Sequence, residues 1–393
     1  MTDQLRDWIK AHANDDPLKL RLKYGGDSEK EFAILQIECR RKAASKLSDT
    51  LRCEAFEFPT ALSAEQCTSD MLAGYHARLI EDGVRVLDMT FGLGIDAFHL
   101  ARQSSVVDGV EISPEVAEAG QHNAAALGAD NVKVICGDSM EVLGSLAPDS
   151  YDVIFIDPAR RGDAGQRLYA LSDCRPDVTA LLPRMLEVAP KVIVKASPMI
   201  DLSQCMRELP GCSNIYCIGT RAECKEVVAV VERGYTGESV ITAVTMSRDD
   251  VSEFSFRAGE EFPKPQCEGA VAGQFLYEPW PAVMKSGGMP AIAAAFPSLR
   301  KLHPNTHLFV SRERIDGFPG DRFVIDRVSP YASHVIKDYA RRKEAAEFGI
   351  RNFPIAAQTV VKRLGLIQKG PRRLFAVTSV NGPELILCSP DNC

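Results

Sequence analysis

The sequence predicts an α/β protein: a doubly wound sheet, preceded by a helical segment and followed by two small α+β modules. Three observations predict it. Short apolar runs at 84–88, 106–111, 132–136 and 151–156 recur at the spacing of strand–helix units. Each run ends at or just before an acid: Asp88, Glu111, Asp138 and Asp157. From Tyr235 the pattern changes to alternating strands with a single helical stretch, and the last sixty or so residues hold helices and a hairpin.

The elements follow in order. Residues 1–80 read as helices; Ala33, Ile34 and Ile37 form an apolar face beside the basic Arg40, Arg41 and Lys42. The phrase from Leu62 to Asp70 starts a helix leading into the first strand, with Ser63 and Gln66 as a capping box. The first strand runs into Thr90, Phe91, Gly92 and Gly94, a turn that opens a helix. A fifth strand is expected at 191–195 and a late one at 227–232, with Gly234 closing the domain. Strands at 240–246, 254–257 and 275–278 follow, then a helix through Ala282 and Lys285, and strands near 307–310 and 322–325. Runs at 375–380 and 384–388 flank Asn381-Gly382, a type I′ turn signal. The expected domains are 1–80, 81–234, 235–332 and 333–393.

Composition narrows the function classes. A net charge of −7 over 393 residues argues against a globally basic nucleic-acid binder, though not against a local basic face. No apolar run approaches the ~20 residues needed to span a bilayer, and the first residues lack a signal peptide's pattern. A cytoplasmic protein with no membrane partner is expected. The twelve cysteines show no CxxC and no Cys/His metal spacing, so no metal is expected and the thiols read as reduced.

The glycine turn carries the chemistry. Gly92 and Gly94 let backbone pass close to a ligand. Gly92-x-Gly94-x-x-Ala97 also satisfies a dinucleotide fingerprint, but Asp88 at the strand end repels a pyrophosphate and attracts an ammonium. S-adenosylmethionine (SAM) offers an ammonium, a sulfonium and no phosphate. Glu111 lies roughly twenty residues beyond the glycines, where an acid takes both ribose hydroxyls.

Residues 84–161 resemble motifs I to IV of the class I SAM-dependent methyltransferases, whose sheet is Rossmann-like. The resemblance implies a SAM site made of Asp88, Thr90, Phe91, Gly92, Gly94, Glu111, Ile112, Asp138 and Ser139, with Asp138 accepting from the adenine amino group. In that class the helix before the first strand closes over SAM, so Gln66, Thr68 and Ser69 either touch the methionine carboxylate or only cap the helix. Asp157 is placed to orient an acceptor amine or act as base; otherwise it bonds only backbone or SAM atoms. Amino-methylating enzymes often carry an aromatic residue where this chain has Arg160, which is read as catalytic. The 5-methyluridine enzymes show a similar Asp-Pro-Ala-Arg; a nucleophilic cysteine in their late position would be Cys217 or Cys224. Arg160 and Arg161 offer fork geometry to a phosphate or carboxylate, or pair with acids such as Asp163.

The carboxyl half, through residues 274–279, 301–308 and 317–320, is similar to the ferredoxin-like domain of a bacterial methyltransferase family. There it precedes a THUMP-like domain, which 351–354 and the terminal hairpin resemble. The family implies a structured RNA substrate. Residues 337–373 are locally basic, with Arg341, Arg342 and Lys343 the chosen RNA contacts. The alternatives are a small-molecule or protein methyltransferase, or a non-catalytic RNA-binding protein retaining SAM.

Overall fold

The computed structural model describes residues 2–160 and 170–391. The chain divides into two compact units, Met1–Ile215 with Glu226–Ser239, and Tyr216–Lys225 with Val240–Cys393.

The first unit opens with α1 (Asp3–Ala11), α2 (Pro17–Tyr24) and α3 (Ser28–Ala43). Each begins on a side-chain cap, where Thr2, Asp16 and Asp27 accept backbone N–H bonds that the helix leaves unmet. Leu5, Ile9, Leu20, Ala33, Ile34 and Ile37 form their shared core. The basic side of α3 is occupied internally. Arg40 donates to the carbonyls of Glu54 and Phe56, Arg41 to those of Ala13 and Asp15, and Lys42 pairs with Glu65.

Next come α4 (Ala61–Gln66) and α5 (Asp70–Ala77), two helices where the sequence suggests one. The expected Ser63–Gln66 capping box does not form. Thr60 is the cap, its Oγ1 accepting from Ser63 N at 3.0 Å, and Ser69 caps α5 by accepting from Leu72 N. The break between the helices falls at Cys67-Thr68, which frees Thr68 for the interior.

The nucleotide-fold core then runs β1 (Arg85–Asp88), α6 (Ile95–Leu100), β2 (Val106–Glu111), α7 (Pro114–Leu127), β3 (Val132–Cys136), α8 (Ser139–Ser145) and β4 (Val153–Ile156). A short pair, β5 (Ala159–Arg160) and β6 (Cys174–Arg175), precedes α9 (Val178–Val188), β7 (Lys191–Ala196), α10 (Leu202–Glu208), β8 (Cys212–Gly219) and β9 (Cys224–Glu232). The strand order is β8-β9-β7-β4-β1-β2-β3, with β9 antiparallel to β7 and the pairings from β7 to β3 parallel. Val86, Leu87, Ile154, Phe155, Ile193 and Val194 are buried because helices cover both faces, hence the unbroken apolar runs. Strand β8 is not among the expected strands because Ser213 and Asn214 interrupt its apolar pattern. The order in which strands are added reverses between β1 and β4, the switch point where such sheets open a crevice at their carboxyl ends.

One packing detail sets the loop after β1. A Cβ on Gly94, Gly109 or Gly120 would come within 2.4, 2.2 and 2.4 Å of the Phe91 ring. Phe91 thus seats in a slot that only glycines leave open, and the loop is anchored to β2 and α7.

In the second unit β10 (Val240–Met246) and β11 (Val251–Arg257) pair antiparallel. After them come β12 (Phe275–Pro279), α11 (Pro281–Ser286), α12 (Met289–Ala295), β13 (Arg300–His303), β14 (Thr306–Ser311), β15 (Gly320–Pro330), α13 (Ser333–Arg342), β16 (Glu347–Arg351), α14 (Ala357–Leu364), β17 (Arg373–Ser379) and β18 (Gly382–Pro390). One seven-stranded sheet, β13-β14-β12-β15-β18-β17-β16, joins these modules, because β15 pairs with β12 on one side and β18 on the other. The terminal hairpin forms, but not around Asn381-Gly382. Ser379 pairs with Gly382, so Val380 and Asn381 make the turn. Val380 N is held by the Leu302 carbonyl at 2.8 Å, a tertiary bond that draws it out of the strand. Among the described residues no helix is long and apolar enough to cross a membrane.

Candidate functional site

The crevice of the first unit is a cavity of roughly 910 Å3, walled by α4, the loop after β1, the ends of β2 and β3, and Asp157 after β4. Its volume suits a cofactor-sized ligand.

The glycine loop supplies its floor. Gly92 and Gly94 have φ of +54° and +82°, which only glycine adopts without strain. Gly92 N donates to one oxygen of Glu111 at 2.9 Å and Ser113 N to the other at 2.8 Å, fixing the carboxylate at the cavity wall. Ile112 is 72% exposed and Met140 49%, and both line the cavity as uncovered apolar surface. Asp138 caps α8 by accepting from Met140 N; Asp138, Ser139, Thr90 and Gln66 also line the wall. Thr90 Oγ1 accepts from Asp157 N at 2.7 Å, tying the ends of β1 and β4 together.

Other expected residues lie elsewhere. Asp88 is 1% exposed and stands behind the loop, where its Oδ1 accepts from Thr90 N at 2.9 Å. Burial pushes its carboxyl up to about 7, against the pull of the Thr90 N–H. Ser69 caps α5 rather than facing the cavity, and Phe91 reaches the wall from its glycine slot. The Arg160 side chain, Arg161 and Asp163 fall outside what the structure describes. Arg341, Arg342 and Lys343 belong to the second unit and do not line this cavity. There Arg341 and Arg342 both pair with Asp338, at 2.6 and 2.8 Å, and Lys343 ends α13 with φ +49°. Cys217 is buried in β8, and neither it nor Cys224 is on the cavity wall.

Behind Asp157 lies a network that no sequence motif announces. Lys195 Nζ, at the end of β7, is 2.7 Å from Asp157 Oδ2, 3.2 Å from Asp96 Oδ2 and 2.8 Å from Thr68 Oγ1. Thr68 donates to the same Asp96 oxygen at 2.5 Å. Asp96 Oδ1 meets His76 Nδ1 at 2.7 Å, and His76 Nε2 meets Glu226 at 2.5 Å. Burial disfavours the charges of Asp96, His76 and Lys195, yet mutual attraction wins. It holds Asp96 well below and Lys195 well above their ordinary ranges, and pushes His76 up to about 9. Lys195 in the otherwise apolar run 192–196 was the available signal.

A pH dependence follows. His76 binds its proton more tightly folded (about 9) than free (6.5), so its stabilisation is complete below about pH 6.5 and lost as pH rises through about 9. The melting temperature should fall across that window. His76→Gln should flatten the fall; an unchanged profile would refute this role.

Three domain families match the chain. A methyltransferase domain covers residues 80–225, a ferredoxin-like domain 275–319 and a THUMP-like domain 320–390. The chain is therefore a methyltransferase-domain protein carrying ferredoxin-like and THUMP-like domains. It is similar along its whole length to a solved structure from Porphyromonas gingivalis W83, provisionally assigned as a methyltransferase. The two are 28% identical with a TM-score of 0.87, over 99% of this chain and 98% of that one. Curated relatives match about a quarter of the chain or less. A 23S rRNA (uracil(747)-C(5))-methyltransferase of Shewanella amazonensis is 32% identical over 24% of this chain and 27% of its own length. A 23S rRNA (uracil(1939)-C(5))-methyltransferase of Photobacterium angustum is 41% identical over 21% and 38% respectively. The chain spans well under half the length of these curated relatives. Among the described residues no group of His, Cys, Asp and Glu is placed to hold a metal ion.

Proposed function

We propose that this protein transfers a methyl group from SAM to a nucleotide of a structured RNA. The observation that carries the reading is the charge and shape of the cavity. Among the described residues Asp96, Glu111, Asp138 and Asp157 line it, with Arg175 as the one cation on its wall. Lys195 balances Asp96 and Asp157 from behind, and Glu111 and Asp138 remain to favour a sulfonium and an ammonium over a pyrophosphate. The charge preference expected of Asp88 thus belongs to different acids. Glu111, held by two backbone amides, is suited to the ribose hydroxyls, and Asp138 to the adenine amino group. Ile112 and Met140 offer apolar surface to a flat ring. When bound, SAM supplies the activated methyl; Asp157, on the same cavity wall after β4, would orient the acceptor for in-line attack.

The RNA component is supported by the THUMP-like match and by the rRNA-modifying names of the curated relatives. In this reading Arg341, Arg342 and Lys343 contact phosphates. Replacing all three by glutamine should flatten the salt dependence of RNA binding by up to roughly 0.7 in log–log slope per contact for single strands. An unaltered slope in a folded triple variant makes them a solvated helix end.

Isothermal titration tests the cofactor. SAM should bind and NAD should not, and Glu111→Ala should weaken SAM by about 1.5–3 kcal/mol, the scale of a hydrogen bond to a charged group. Heat from NAD alone would sink the reading. Comparing modified nucleosides in RNA from cells with and without the gene tests the reaction; identical profiles would remove RNA as substrate.

A further inference from the structure

The second unit contains a cleft that the methyl-transfer site does not use. Two adjoining hollows of about 440 and 480 Å3 share Arg221, Trp280, Asp321 and Arg373 in their walls. Trp280 Nε1 donates to Asp321 Oδ1 at 2.9 Å, which fixes the edge of the indole while its ring stays partly exposed. The Arg221 guanidinium carbon lies 5.3 Å from the Trp280 ring centroid.

Arg221 is presented by a built turn. A Cβ on Gly219 would meet the Glu223 carbonyl at 2.3 Å, so the tip between β8 and β9 closes only with glycine there. Thr220 N donates to Glu223 O, and Ala222 N to Thr220 Oγ1. Arg221 itself is exposed and has no ion pair among the described residues, so its donors are available to an anion.

Over the two hollows four arginines face four acids, and the excess of positive charge is confined to the first hollow. Glu278 is buried, with one oxygen at Arg351 (2.5 Å) and the other at Arg373 (3.2 Å), so one carboxylate serves two guanidiniums. Arg373 Nε is buried without a hydrogen-bond partner. Three arginines face two acids in the first hollow, and one of those acids, Asp321, is engaged by Trp280. A planar aromatic wall beside free guanidinium donors matches a nucleotide's two chemistries, a ring and a phosphate.

We propose that this cleft binds a nucleotide of single-stranded RNA, with the base against Trp280 and its phosphate on Arg221. This rests on the RNA-substrate reading and locates a second point of grip on that substrate. The chain has two tryptophans, so a Trp8→Phe full-length protein reports Trp280 emission alone. It is titrated with a short fluorescein-labelled oligouridine, followed by label anisotropy, with the unlabelled oligomer followed by indole emission, and with uridine monophosphate. Oligouridine should quench Trp280 over the same range in which anisotropy saturates. Adding Arg221→Gln, an exposed change at the hairpin tip, should raise Kd about tenfold by removing a charge-assisted bond. RNA binding by anisotropy with unchanged Trp280 emission and no effect of Arg221→Gln overturns the cleft and leaves the RNA reading standing. Absence of any anisotropy change, with SAM still bound, overturns the cleft, and the nucleoside profiles decide the structured-RNA reading separately. Quenching by the mononucleotide alone makes the cleft a free-nucleotide site and ends its RNA role.

Discussion

Asp157→Ala is expected to lower the rate of methyl transfer by roughly 10²–10⁴-fold, the range for a positioned acid–base or orienting group. SAM affinity should stay within a few-fold if, as proposed, the carboxylate acts on the acceptor in the transition state. The geometry supports this separation. Asp157 is the acid of the cavity wall farthest along the chain from the glycine loop, and its side chain is 45% exposed while Lys195 holds one oxygen. Its backbone N is anchored by Thr90 independently of the carboxylate, so the alanine variant keeps the strand end in place. Single-turnover kinetics with labelled SAM, beside calorimetry, distinguishes the outcomes. Equal loss of binding and turnover would make Asp157 a cofactor residue.

Asp96→Ala is expected to have the largest effect on stability, about 3–5 kcal/mol, because it strands two buried cations. Asp96 serves His76 through one oxygen and both Thr68 and Lys195 through the other. Without it Lys195 keeps Asp157 and Thr68, and His76 keeps Glu226, so each retains only part of the compensation for its burial. For a domain of this size the loss corresponds to a fall in melting temperature of roughly 6–20 °C. His76 should then titrate closer to its ordinary value, since one of the two carboxylates holding its proton is gone. A melting temperature within a degree or two of the parent's would mean that water or rearranged side chains replace the carboxylate, and the network would not be structural.

The core of the first unit was legible because its physics is local. Strands buried on both faces must be apolar, so β4 and most of β1 and β7 stand out as runs, with the partly exposed β2 and β3 beside them. The acids that end or follow β1 to β4 mark their carboxyl ends. The loop glycines were legible for the same reason, since a left-handed φ at Gly92 and Gly94 leaves little choice of residue. Glu111 and Asp138 could be placed at the crevice because a short segment after a strand cannot travel far from its end.

Side-chain partners were not legible. His76 meets Glu226 across 150 residues, and Lys195 meets Asp96 across 99. Such pairs form because the fold brings β9, β7 and the helices on either side of β1 to one end, and spacing along the chain carries no trace of that order. Charge runs find their partners for a related reason. The basic end of α3 is taken up by carbonyls and Glu65, and that of α13 largely by Asp338, pairings that depend on neighbours rather than on composition. Asp88 was assigned to the cavity from its place after a strand, yet a strand end has two faces, and the turn of the loop sent its carboxyl to the buried one. By itself, then, the sequence determined the strands, their acids and the glycine turn, where local sterics and burial leave few options. The tertiary structure alone decided which acids face the cavity and which cations balance them. Electrostatic partners are chosen by distance in space, and that distance is set by topology.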